Sequence, residues 1–348
     1  MTLAAQPSAQ PSFAALRHGG FRAYFVTSAL AMMADNIEHV ISYWVMFEKF
    51  HSPALGGVAV PTHWLPFLFF SVYSGALADR FDSRRVIQIA MLMFIGVSLG
   101  WGLLFLTGTI ELWHAVVMLT VHGLAGVLWM PASQLLIHDI VGREQLQSAV
   151  RLNATSRSLG ILFGPAVGGA LMLLTSPAIG LLVNAVIYVP LIWWLWKTPH
   201  GSRTPVSKGA SVRSVSIANS WQVLREVSGN RTIVSMIALA GVSSLLVGNA
   251  FQAQMPEFAH DLGTEKADFS YSVLLAASAA GSLLGGVILE SRGLLVARPQ
   301  TAIVLTILWC LVITGFAVAT SYPLAVALML VAGFLNLSFV SMAQALIQ

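Results

Sequence analysis

Asp35, Glu38 and His39 stand three and four residues apart inside an apolar stretch, 21–47, with Asn36 between them. On a helix that spacing puts the acids and the histidine on one face. An ionised carboxylate at the middle of a bilayer costs about 2.5–3.5 kcal/mol on insertion scales. Two of them are not carried on a lipid-facing stripe, so they must face a wet cavity or a partner. Two acids one turn apart also repel, and the nearby cation on the same stretch is His39. Such a group holds a proton or a solute, one at a time, which is what a proton-coupled exchanger needs. The alternative is a polar cluster that only fixes helix packing.

Other polar residues in apolar surroundings extend the candidate site. His122 and Trp129 are seven residues apart and share a helix face. His122 is placed to relay protons or to pair with Asp35 or Glu38; a hydrogen-bonded packing role is the alternative. Asn249 and Gln252, with Gln254, lie in a later stretch and serve as solute contacts or as interhelical hydrogen-bond glue. Arg157 follows Asn153 by one turn and either reaches an anionic solute or snorkels to the interface. Asn184 and Asn336 are weaker candidates. His63 and Trp64 open the second apolar stretch near the outer cavity; a Trp there belonging simply to the interfacial belt is the alternative. His51, His63 and Glu48 have no informative metal-ligand spacing, and no metal or cofactor is expected. No Gly-rich loop precedes Lys-Ser/Thr, which argues against ATP-driven pumping. No enzyme site emerges, and nucleic acid is not an expected partner.

The elements that position these residues follow from composition. Of 348 residues 57% are hydrophobic and 9% are charged, against about 45–50% and about 25% in soluble domains. With a mean hydropathy of +0.79, a water-soluble enzyme is excluded. The lone Cys310 permits no intrachain disulfide. Spans of about 20 apolar residues are expected at 21–47, 57–78, 86–108, 112–137, 150–174, 178–197, 232–256, 269–290, 300–320 and 322–347. The chain thus reads as an all-α membrane protein with a polar tail (1–20), a six-helix bundle (21–197), a basic linker (198–231) and a four-helix bundle (232–348). Within the linker, 215–228 has the spacing of a short amphipathic helix lying on the membrane face; a plain flexible linker is the alternative. No cleaved signal peptide is read at the N-terminus.

With the N-terminus inside, 16 of the 18 Lys and Arg residues fall on the inner side, and only Lys49 and Lys266 fall outside. The positive-inside rule therefore places the N-terminus in the cytoplasm. The chain also repeats itself. Gly75-Ala76-Leu77-Ala78-Asp79-Arg80 follows the second span, and Gly286-Val287-Ile288-Leu289-Glu290-Ser291-Arg292 follows the eighth, 211 residues later. The first and seventh spans begin the same distance apart, so two parallel halves are expected. Asn249 then stands at the repeat position of Glu38, across a central cavity. By the same offset the second half lacks the partners of the fifth and sixth spans, so truncation of a twelve-helix protein is expected, with a protein that works with ten helices as the alternative.

The loop run Gly75-x-x-x-Asp79-Arg80-x-x-x-Arg84-Arg85 resembles the cytoplasmic loop signature of the major facilitator superfamily. Gly160-x-x-x-Gly164-Pro165-x-x-Gly168-Gly169 in the fifth span is similar to the motif of its antiporter branch. The stretch from Leu146 through Asn153 to that Gly-Pro pair resembles the enterobactin-exporter-like, transmembrane secretion effector group. The resemblance implies a major facilitator fold of two six-helix bundles, the second cut to four helices. It implies a secondary transporter of a bacterial inner membrane that moves a small drug-like or siderophore-like solute outward against protons. Import by proton symport, or a non-transporting remnant acting as an assembly partner, are the alternatives, and a monomer is expected. Asp79, Arg80, Arg84 and Arg85, with Glu290 in the second half, become candidates for a cytoplasmic latch. Gly160, Gly164 and Gly168 form a smooth stripe that Pro165 bends, with Gly169 beside it, as a candidate hinge. Where the family's fourth helix carries an Arg before x-x-x-Gly, this chain has His122 before Gly126.

Overall fold

In lipid, each backbone N–H and C=O must be satisfied within the chain, and helices do this locally. The computed structural model describes residues 14–51, 53–201, 225, 228–263, 267–292 and 298–347, and among them there is no strand. A 3₁₀ turn (Ala14–Arg17) leads into α1 (Gly19–Phe50). Then follow α2 (Pro53–Arg80), α3 (Ser83–Leu106), α4 (Leu112–Leu174), α5 (Pro177–Ile187) and α6 (Val189–Lys197). After the linker come α7 (Arg231–Ser243), a π-helical turn (Ser244–Asn249), α8 (Ala250–Leu262), α9 (Ala267–Arg292), α10 (Pro299–Ala317) and α11 (Tyr322–Ile347).

Among the described residues, seven stretches are long and apolar enough to cross a membrane, two of them within α4 and one joining α5 to α6. The ten expected spans all fall on helix, but by that measure 21–47, 57–78 and 269–290 are not among the seven. The first carries the acids Asp35 and Glu38, with Glu48 just beyond its end. The amphipathic helix expected at 215–228 lies outside the described residues, apart from Arg225 and Ser228.

Two further departures have local causes. The loop expected between 137 and 150 is helix, and α4 runs for 63 residues. At about 1.5 Å per residue a straight helix of that length would be far longer than a bilayer is thick. Gly142, at φ 67° and ψ −177°, breaks it into two arms. Only a residue without Cβ takes that backbone cheaply. The arms fold back on each other: Trp129, Met130, Ser133 and Gln134 share a small cavity with Asn153 and Arg157. The span expected at 178–197 is also two helices, divided at Tyr188, because Pro190 supplies no N–H to continue the ladder.

Gly160, Gly164 and Gly168 pack against α1. A Cβ on Gly160 would meet Met32 Cβ at 2.6 Å, one on Gly164 would overlap Asn36, and one on Gly168 would touch Ile37 and Val40 at 3.4 Å. The close approach expected of this stripe is therefore made to α1, beside the acid cluster. The non-helical residue of α4 is Gly142 rather than Pro165.

The halves meet at the end of the bundle where α1 finishes. Tyr271 of α9 donates a hydrogen bond to the Val40 carbonyl at 3.1 Å. Its ring stacks on Trp44, with centroids 5.5 Å apart. Phe47 meets His260 at 5.6 Å, and Gly169 lies against Ser272.

Candidate functional site

His122 on the first arm of α4 bridges both α1 acids. Its Nδ1 lies 2.5 Å from Glu38 Oε1 and its Nε2 lies 2.8 Å from Asp35 Oδ1. Ionised carboxylates only accept, so two such contacts need a proton on both ring nitrogens. If one proton moves onto a carboxylate, the ring becomes neutral and the same geometry survives. The bridge therefore has two charge states that differ by the place of one proton.

Further partners come from α3 and α5. Ser98 donates to Glu38 Oε2. Asn184 donates to Ser98 Oγ at 3.1 Å and to the Ala34 carbonyl at 3.0 Å. Phe94 meets the His122 ring edge-on at 4.7 Å and stacks on Tyr188 at 5.3 Å. Glu38 is only 2% exposed, so its carboxylate is held by protein groups alone. Asp35 is 19% exposed, because it lies on a cavity wall. Asn36 donates to the Met32 carbonyl at 2.8 Å and to Asp35 Oδ2 at 3.4 Å.

That cavity, about 480 Å³, lies between the halves. Asp35, Asn36, His39, His63 and Arg157 line it from the first half, and Ser243, Trp309 and Asn336 from the second. A second, mostly apolar chamber of about 430 Å³ shares Gly248, Trp309, Asn336 and Val340 with it and reaches Pro165, Phe251 and Leu275. Both volumes fall in the ordinary range for small-molecule sites, about 300–1,000 Å³.

His39 and His63 converge on the bridge. His39 Nδ1 donates to the Asp35 carbonyl at 2.8 Å. Its ring centroid lies 4.6 Å from those of both His63 and His122. His63 reaches this point because α2 crosses α4 closely: a Cβ on Gly123 would overlap the His63 carbonyl, and one on Gly126 would meet Phe67 at 2.9 Å.

The remaining candidates divide. Asn249 and Gln252 lie on described backbone, in the π turn and α8, but their side chains, like that of Glu290, fall outside the described residues. In the loop after α2, Arg84 holds Asp82 with a 2.7 Å ion pair and donates to the Thr198 carbonyl at 2.7 Å. Arg85 donates to Gln88 at 3.2 Å. These contacts of Arg84 and Arg85 stay within the first half. Asp79 also has a partner, Arg80 is exposed, and a Cβ on Gly75 would meet nothing within 4 Å. Burial pushes the Asp82 carboxyl up, but hydrogen bonds from the Arg84 side chain and backbone outweigh it and hold the carboxyl below its ordinary value. Ser98 and the inward placement of His63 have no sequence motif; the only signal for them is a polar side chain within an apolar stretch.

Residues 10–348 match the family described as transmembrane secretion effector. Curated relatives include the staphyloferrin A transporter of Staphylococcus aureus, 21% identical over 47% of this chain and 42% of that protein. The MFS-type transporter YkuC of Bacillus subtilis is 22% identical over 78% of this chain and 64% of its own length. The putative multidrug resistance protein MdtD of Salmonella typhi is 32% identical over 28% of this chain and 20% of its own. The chain thus spans less than two thirds of the length of each of these relatives. Among solved structures, a mutant form of the nucleoside transporter NupG aligns with a TM-score of 0.66 at 13% identity, covering 94% of this chain and 82% of that one. A bacterial homologue of the human lysosomal transporter Spinster, in an inward-facing and unoccupied conformation, aligns at 0.64 and 16% identity, covering 94% and 74%.

Proposed function

The chain belongs to the transmembrane secretion effector family of major facilitator transporters, membrane proteins rather than enzymes, and from that premise we propose that it is a secondary transporter exporting a small organic solute in exchange for protons. The observation that carries this is the His122 bridge between Asp35 and Glu38, set in the wall of a cavity between two helix bundles. A buried ion pair is weak evidence for stability alone, since well-packed apolar residues serve as well or better. Placed beside a solute cavity, it has a use that packing does not supply.

Asp35 is the member of the bridge that reaches the cavity, and Glu38 is the member sealed behind it. A proton arriving from the cavity meets Asp35 first. Protonated Asp35 loses its charge attraction for the ring, though its carbonyl oxygen still accepts a hydrogen bond, and Glu38 becomes the stronger partner of His122. A hydrogen-bonding or cationic solute at Asp35 competes for the same oxygen atoms. Proton and solute therefore alternate at one carboxylate, while Glu38, Ser98 and Asn184 hold α1, α3 and α5 in register.

Alternating access requires rocking of one bundle on the other. The Val40–Tyr271 and Trp44–Tyr271 contacts close the end where α1 finishes. With the N-terminus cytoplasmic, as the basic residues favour, that end is the outer one, and this state receives its solute from inside a bacterial inner membrane. Drug-like and siderophore-like solutes are the candidates, and the relatives' names lean the same way.

The test is proton movement in liposomes containing the purified chain and an interior pH dye, driven by a panel of lipophilic cations and small siderophores. Wild type is expected to move protons with at least one of them, and Asp35→Asn with none. Equal responses from the two proteins overturn coupling at this site. Proton flow in the same direction as the solute replaces exchange with symport.

A further inference from the structure

The coupling reading uses His122 and leaves His39 and His63 without a role. We infer that His39, His63 and His122 form a binding site for a divalent transition-metal ion of the zinc, copper and nickel class, on the cavity wall where α1, α2 and α4 meet.

One ring nitrogen from each of the three histidines lies within 4.8 Å of the other two. On a tetrahedral ion with Zn–N bonds of about 2.0–2.1 Å, ligand nitrogens sit about 3.3 Å apart. Small ring rotations close the difference, and the helix backbones need not move far.

Each ring brings its own argument. His39 commits Nδ1 to the Asp35 carbonyl, which fixes the tautomer and leaves the Nε2 lone pair free. That is the outer-shell arrangement by which proteins orient metal-ligating histidines. His63 is 8% exposed, and its Nδ1 has no hydrogen-bond partner among the described residues. A buried polar atom in that condition is costly, and a metal ion would satisfy it. His122 supplies the third nitrogen by exchanging one carboxylate contact for the ion, and the released carboxylate stays beside the positive charge.

The donor set selects the class of ion. Imidazole suits zinc, copper, nickel and iron, whereas calcium and magnesium require oxygen shells. An ion here ties three helices together and removes His122 from its bridge, so it arrests the transport cycle. That consequence rests on the coupling reading, while the binding itself does not.

The experiment uses the full chain without a polyhistidine tag, purified in detergent and stripped of metal. It is titrated with Co²⁺, followed by visible absorption, and with Zn²⁺, followed by calorimetry. One ion per chain with a tetrahedral cobalt band is expected. His63→Gln and His39→Gln should each weaken binding at least tenfold, while His138→Gln and His260→Gln, at exposed positions, should not. X-ray absorption of the zinc-loaded wild type counts ligands without any variant, and three imidazoles are expected. No stoichiometric ion, unchanged affinity in both cluster variants, or fewer than two imidazoles on the zinc overturns the inference. Proton coupling that persists in a chain binding no ion sinks this inference alone. Three-imidazole zinc in a chain that never moves protons sinks the coupling reading alone.

Discussion

His122 Nδ1 stands 2.5 Å from Glu38 Oε1, a contact between α4 and α1 that is an ion pair when the ring is protonated and whose partners are 3% and 2% exposed. Removing one side strands the other, buried and without its partner. His122→Ala should therefore cost about 3–5 kcal/mol, the range for breaking a buried pair. Glu38→Gln, which keeps a side chain of the same shape for Ser98 and His122, should cost clearly less. Thermal unfolding of the two variants in detergent checks the order; equal losses would mean that the charges do not matter.

Gly164 has no room for a methyl group. Gly164→Ala would drive a Cβ into Asn36 and to 3.0 Å from the Met33 carbonyl. Overpacking of that kind typically costs about 1–3 kcal/mol. Gly75→Ala meets nothing, and in a helix the change from glycine gains up to about 1 kcal/mol. Opposite shifts in melting temperature are expected. If Gly75→Ala also slows transport while raising stability, Gly75 acts in a state other than this one.

Tyr271→Phe removes the hydrogen bond to the Val40 carbonyl and keeps the ring on Trp44. A net hydrogen bond is worth about 0.5–1.5 kcal/mol, so the equilibrium between closed and open forms of this end should shift roughly two- to tenfold toward open. Spin labels on the last turn of α1 and on α8 read that shift as a longer distance. An unchanged distance distribution would show that the other contacts at this end, the Trp44 stack among them, hold it shut without the hydrogen bond.

Asp82 caps α3 and holds Arg84. Its carboxyl lies below its ordinary value in the folded chain. Its stabilising effect is therefore fully present above the unfolded value, about 3.9, and is lost as pH falls through the lower folded value. Asp82→Asn keeps a good capping side chain and removes the charge. The variant should melt slightly below wild type at neutral pH, by no more than about 1 kcal/mol for a pair that is still partly open to solvent. The two curves should merge in strong acid. A gap that persists there would assign the loss to the cap and not to the charge.

The acid cluster on α1 is legible because helical spacing and insertion cost both act within one short segment. The pairing of His122 with those acids is an expectation from residue type alone, and the geometry supplies it. Ser98 and Asn184 complete the Glu38 site from positions 60 and 146 residues away, where one small polar residue in an apolar stretch reads as ordinary. His63 reads, with Trp64, as opening the second span near the outer cavity, without a partner. Its inward position depends on the close crossing of α2 over Gly123, which is a tertiary fact without local pattern. The end of α4's first arm reads as a loop in sequence, since a reversal at a single glycine leaves no separate signature to mark it.

That reversal at Gly142 also bears on how the protein is made. Two arms joined through one glycine, without a long connector, give a ribosome-bound insertion machine little between them to hold back, so they enter the bilayer as one hairpin. The His122 arm and the Gly164 arm therefore reach the membrane together. The acids of α1, synthesised earlier, acquire their imidazole partner and their covering helix in the same step.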